Sequence, residues 1–163
     1  NGAFAPDERG WTSGPSAFEL ELGNYIAYSV PLFESGGRYA LLRDEHLPYY
    51  SEPLAEARLA DARKYCLNSL AHVHTFTERG ICFQAFHRLY DAFREFIQAL
   101  FIARRTYPIA YDKWIQEQVV EMLGLPELYC QLRAVLEITD IESAQTSANA
   151  RTLEALLEEY ANA

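Results

Sequence analysis

From Ser51 onward, apolar residues recur every three or four positions. Leu59, Ala62, Cys66, Leu70 and Val73 lead up to Gly80, and Phe83, Phe86, Tyr90, Phe93, Ile97, Leu100 and Phe101 follow, opposed by Gln84, Arg88, Asp91, Glu95 and Gln98. This is the spacing of one face of an α-helix, so it predicts two helices meeting at Gly80, the first capped by Ser51 with Pro53 in its opening turn. The aromatic stripe of the second implies a bundle core. That helix is expected to stop near Thr106, because Pro108 disfavours helical geometry at Tyr107 and has no N–H to continue the ladder. Asp112 is the expected N-cap of a third helix bearing Ile115, Val119, Met122 and Leu123, which Gly124 ends. Pro126 opens a fourth with Leu128, Leu132, Val135 and Leu136. Thr139-Asp140-Ile141-Glu142 matches a capping box. A fifth helix, with Leu153, Leu156, Leu157 and Tyr160, is expected to start there or beyond the polar stretch from Ser143 to Asn149.

Ahead of these helices the period changes. Phe18, Leu20 and Leu22 alternate with Glu19 and Glu21, and Gly23-Asn24 is a suitable turn into Tyr25-Ile26-Ala27-Tyr28-Ser29-Val30, which predicts a hairpin or sheet edge. An isolated hairpin is marginal in water, so these strands would need helices or a further sheet to lie against. Residues 1–16 are rich in Gly, Pro and Ser and read as a tail or linker, as expected where a piece has been cut from a longer protein. The expected organisation is a tail over 1–16, a β element and connection over 17–50, and a helical bundle over 51–163. The fold class is mainly α, a bundle of four or five helices with a short N-terminal β element.

Composition narrows the functional classes. The chain has 163 residues, half of them hydrophobic, which suffices for one ordinary core. Its 23 acids against 14 bases leave a net charge of −9, which disfavours nucleic acid or an anionic membrane as partner, since both reward clustered cations. Three widely spaced cysteines, Cys66, Cys82 and Cys130, indicate neither a disulfide framework nor a zinc knuckle and are expected to be reduced core thiols. No apolar run approaches a membrane span and no signal peptide is evident, so a cytoplasmic setting is expected.

Most of the reactive residue types lack the arrangement that chemistry needs. His72 and His74 lie two apart, so a helix points them in different directions, and His87 fits the edge of the apolar stripe or the core. Glu19 and Glu21 share one strand face, more simply as an exposed acidic surface than as a metal site. Neither a nucleophile elbow nor a glycine-rich phosphate loop is present. One stretch stands apart: Arg104, Arg105, Tyr107, Lys113 and Trp114 fall within eleven positions at a helix junction. Arginines at a helix C-terminus are ordinary, but a lysine in a first turn opposes the helix dipole unless an anion is near. Lys113, with Arg104 or Arg105, would hold a phosphate, and Tyr107, Tyr111 or Trp114 would stack on a base or sugar.

The run Ala103-Arg104-Arg105-Thr106-Tyr107-Pro108, then Tyr111-Asp112-Lys113-Trp114 and Leu125-Pro126-Glu127-Leu128, resembles the HEPN-like helical C-terminal domain of bacterial nucleotidyltransferases of the kanamycin and streptomycin adenylyltransferase type. The likeness spans residues 18–138, with Glu21 to Phe33 resembling the end of the catalytic sheet or its connection to the helices. It implies that Lys113 contacts a nucleoside triphosphate, while Mg²⁺ is held by a Gly-Ser motif and paired acids in an N-terminal domain. Those elements are absent here, so this chain is expected to be inactive alone and to need an N-terminal nucleotidyltransferase domain or a separate catalytic chain. A homodimer is implied by the same resemblance. The ribonucleases among HEPN-like domains carry an Arg, four to six residues, then His; Arg43 precedes His46 too closely and Arg79 lies too far before His87. The alternative is a noncatalytic ligand-sensing or protein-interaction bundle, with the aromatic stripe lining a pocket or interface.

Overall fold

A computed structural model describes residues 26–46, 52–110 and 112–162. The helices are α1 (Arg38–His46), α2 (Glu52–Glu78), α3 (Cys82–Ala103), α4 (Pro126–Leu136) and α5 (Gln145–Tyr160), with a π-helical segment at Glu117–Met122 between α3 and α4. The described residues form a mainly α bundle. Helices α2 and α3 make a long antiparallel hairpin, α5 packs against both, α4 packs on α5, and the π-helical segment on α4.

The tight turn of the hairpin follows from Gly80. Its φ of 68° is a left-handed conformation that glycine adopts without a Cβ penalty. The Ile81 N–H then reaches back to the Phe76 carbonyl at 2.9 Å and the Gly80 N–H to Thr77 at 3.0 Å, a Schellman closure of α2. Antiparallel pairing buries Leu59, Cys66, Leu70 and Val73 of α2 against Leu89, Phe93, Phe96, Ile97 and Leu100 of α3. Halfway along, the Cys66 thiol donates to the Ala92 carbonyl at 3.3 Å, and burial pushes its pKa well above the ordinary thiol value. Leu128, Leu132 and Val135 of α4 and Leu153, Leu156 and Leu157 of α5 complete the core.

The last turn of α5 is clasped from two sides. Arg63 on α2 donates to the Leu157 and Ala161 carbonyls at 3.1 and 3.0 Å and to the Glu158 carboxylate at 2.7 Å. Arg104, just past α3, donates to the Tyr160 carbonyl at 2.8 Å. Both guanidiniums bring a positive charge to the carbonyl end of α5, Arg104 on Tyr160 and Arg63 on Ala161 and on Leu157, whose carbonyl also accepts the Ala161 N–H. Helix α5 begins inside the polar stretch because its side chains serve the end of α4. Gln145 and Asn149 donate to the Glu137 and Val135 carbonyls at 2.9 Å each. Thr139 to Glu142 makes a turn, with the Glu142 N–H on the Asp140 carboxylate, and not a helix start.

Several expectations change. The β element is not seen among the described residues: Ile26, Ala27 and Tyr28 form a helical turn and Ser29 and Val30 are in neither helix nor strand, while the predicted strand over Phe18 to Leu22, the Gly23-Asn24 turn and Tyr25, with Ser51, lie outside them. The Tyr39 hydroxyl donates to the Ile26 carbonyl at 2.7 Å and also to that of Ser29, which gathers this segment into a turn that a strand could not make. On α3 the aromatic stripe is buried only toward its C-terminus. Phe83 is 79% exposed and Phe86 37%, whereas Phe93, Ile97, Leu100 and Phe101 are buried. Gln98, expected on the polar side, is buried as well, since this half of α3 is covered all round. Of the cysteines only Cys66 is a core thiol; Cys82 is half-buried and Cys130 exposed. No described helix is long and apolar enough to cross a membrane.

Candidate functional site

The junction after α3 is built from a repeat of the α2 ending. The Thr106 N–H reaches the Phe101 carbonyl at 3.1 Å and the Arg105 N–H reaches Ile102 at 3.0 Å, the same Schellman pattern that Gly80 makes possible. Here the left-handed position is held by Arg105, at φ 54°. An L-residue with a Cβ pays about 1 kcal/mol for that conformation. The Arg105 guanidinium lies 2.5 Å from the Glu52 carboxylate, joining the end of α3 to the start of α2.

Arg104, its neighbour, has a different surrounding. It is half-buried, and its guanidinium donates to the Leu100 carbonyl at 3.2 Å and to that of Tyr160 at 2.8 Å. Desolvation lowers its pKa from the ordinary value. Tyr107 is only 8% exposed, and its carbonyl accepts the Tyr28 hydroxyl. Arg104 and Tyr107 therefore serve the packing, which takes Tyr107 out of reach as a stacking platform. Tyr111 lies outside the described residues.

Lys113 and Trp114 are presented outward. Lys113 is exposed and Trp114 is 59% exposed, with its backbone at φ 51°. Among the described residues, Arg105 and Trp114 are the non-glycine residues with positive φ, and they bracket the loop. Asp112 does not cap a helix: helical residues begin at Ile115, and Glu117–Met122 takes the wider π geometry, with the Leu123 N–H on the Gln118 carbonyl at 3.1 Å.

The loop owes its shape to Gln118, a residue that sequence reasoning passed over. Its side chain is fully buried. The amide oxygen accepts from the Ile109 N–H at 2.7 Å and the Ala110 N–H at 3.3 Å, and the amide nitrogen donates to the Ala110 and Lys113 carbonyls at 2.7 and 2.6 Å. Both acceptor positions and both donors are thus used. A polar residue at Gln118, beside Val119 and between Ile115 and Met122 on the apolar pattern, was the available signal.

The histidines carry local structure. His72 bonds the Asn68 carbonyl at 2.7 Å, and His74 bonds the Ser147 hydroxyl at 2.6 Å across α2 and α5. His87 is exposed, 3.4 Å from the Asp91 carboxylate. Among the described residues no three acidic, imidazole or thiol groups are placed to hold a metal ion. No family model, curated protein or solved structure matches this chain.

Proposed function

We propose that this chain is a helical domain of a nucleotidyltransferase, contributing contacts to a nucleoside triphosphate or its acceptor while a separate domain or chain supplies the metal-binding acids. The observation that carries the reading is the loop closed by Gln118. It turns Lys113 and Trp114 outward, with Trp114 in left-handed backbone that costs free energy, and the turn that ends α3 sets Arg105, also left-handed, at its other margin. Strained backbone of this kind collects at ligand sites, where the surrounding structure over-determines it. In the narrowed site Lys113 meets phosphate, Trp114 stacks on a ring, and Arg105 supplies a second cation by exchanging Glu52 for the ligand. Arg104 and Tyr107 support the junction from beneath. The chain by itself performs no transfer in this reading, and Mg²⁺ arrives with the triphosphate in the catalytic domain.

Isothermal titration of ATP and GTP, each with and without Mg²⁺, into the chain and its Lys113→Ala variant tests the reading. Binding by the parent that weakens about tenfold or more in the variant, as expected for loss of a charge-assisted contact, supports it. Equal affinity in both proteins removes Lys113 from the site.

A second reading has its own observation. Ile81, Phe83 and Phe86 leave the start of α3 apolar and open, and Val30, Leu32 and Phe33 are exposed near the N-terminal end. Exposed apolar clusters mark interaction surfaces, which favours a protein-interaction bundle or a homodimer. Sedimentation at several concentrations separates self-association from a monomer.

A further inference from the structure

We propose that Gln118 is the positioning residue of this site: its buried amide holds the backbone of Ile109, Ala110 and Lys113, and through it the placement of Lys113 and Trp114 that a triphosphate meets. The nucleotide part of this inference rests on the function proposed above; the loop-setting part stands on geometry alone.

A primary amide inside an apolar bundle is unfavourable unless its hydrogen-bonding groups are all used. Gln118 uses them on the backbone of Ile109, Ala110 and Lys113, at 2.6 to 3.3 Å. These loop groups lie outside any helix or strand, so the side chain stands in for the secondary structure they lack. The bond to the Lys113 carbonyl fixes the peptide that leads into Trp114, whose φ of 51° is a conformation rare for a bulky residue. The helix bearing Gln118 takes π geometry over Glu117–Met122, a form found mostly as single turns and frequently at functional sites. Buried polarity, left-handed backbone and π geometry are three departures from local preference, and all three meet at one loop. Departures of this kind concentrate where a chain serves function before stability. Without Gln118 the loop exchanges among many conformations, and only the fraction with Lys113 and Trp114 placed together binds.

The test combines amide hydrogen exchange with MgATP titration on the parent, Gln118→Met and Gln118→Glu, with circular dichroism confirming the helical fold of each. In the parent, the Ile109 and Ala110 amides should exchange about a hundredfold slower than in a free chain, although they lie in a loop. Gln118→Met keeps the side-chain length and removes every bond, so it should release both amides while those of α3 stay protected. If the competent loop falls to a tenth of the population, apparent MgATP affinity weakens by about tenfold. Gln118→Glu keeps an acceptor for the Ile109 N–H but sets a carboxylate oxygen against the Ala110 and Lys113 carbonyls, and should release the loop at least as fully as Gln118→Met. Unprotected Ile109 and Ala110 in the parent overturn the proposal, and this measurement decides it even if neither variant folds. Released amides with unchanged MgATP affinity overturn the positioning role as well. Protected amides in a parent that binds no MgATP overturn the nucleotide reading while supporting Gln118 as the residue that sets the loop.

Discussion

Helices α2 and α3 end in the same hydrogen-bonded turn, and they fill its left-handed position differently. At the end of α2 the position is Gly80, φ 68°, and the chain turns sharply to begin the hairpin. At the end of α3 it is Arg105, φ 54°, and the chain enters the candidate site. The carbonyls that receive the closing bonds belong to Phe76 and Phe101, one half-buried and one fully buried. The glycine turn is the relaxed solution. The arginine turn accepts backbone strain, and in return a cation stands at a fixed place between Glu52 and the loop. A helix end with an unstrained alternative in the same molecule shows that the strain at Arg105 is not required by the turn itself.

The comparison can be broken most forcefully at its anchor residues. Phe101→Ala should destabilise the chain by about 3–5 kcal/mol in urea unfolding, and Phe76→Ala by clearly less, since only the first empties a fully buried volume. Equal losses would mean that the two ends are equally supported. Arg104→Ala should cost about 1–3 kcal/mol, because the Tyr160 and Leu100 carbonyls lose a charged donor in partly buried surroundings. Gly80→Ala should cost about 1–2 kcal/mol through backbone strain alone, as an added Cβ meets nothing within 4 Å. The smallest effect belongs to Arg105→Gly. Relief of about 1 kcal/mol of strain offsets the loss of a partly exposed ion pair worth about 0–1 kcal/mol, so the midpoint should barely move. A loss matching that of Arg104→Ala would show that Arg105 is structural after all.

The hairpin, α4 and the turns at Gly80 and Gly124 were legible because their causes are local: a three-four apolar period, a proline that opens a helix, a glycine that ends one. The junction was also legible as a cluster of cations and rings. Which of its members face solvent was not. Arg104 and Arg105 are the same residue at adjacent positions, and only the approach of Tyr160 and Glu52, distant in sequence, gives them different surroundings. The stripe on α3 named a face correctly without saying how far along the helix a neighbour covers it, so Phe83 and Phe86 could not be told from Phe93. Gln118 was missed because its partners are main-chain groups, which carry no residue-specific signature. The strand expected over Tyr25 to Val30 failed over its described part for a related reason: the Tyr39 hydroxyl offers Ile26 and Ser29 an acceptor's partner from outside the local pattern.

The arginine clasp on α5 has a consequence for the order in which the chain folds. The hairpin of α2 and α3 joins neighbours across a tight turn, whereas Arg63 reaches partners 94 and 98 residues away along the chain. Closing so long a loop loses more chain entropy than closing a hairpin, and the contacts that repay the loss form only on arrival. The hairpin is therefore expected to form first and α5 to dock onto it last, an order that pulse-labelled hydrogen exchange during refolding checks. Arg63 and Arg104 act at that last step, as the fastening by which a finished hairpin retains its third helix.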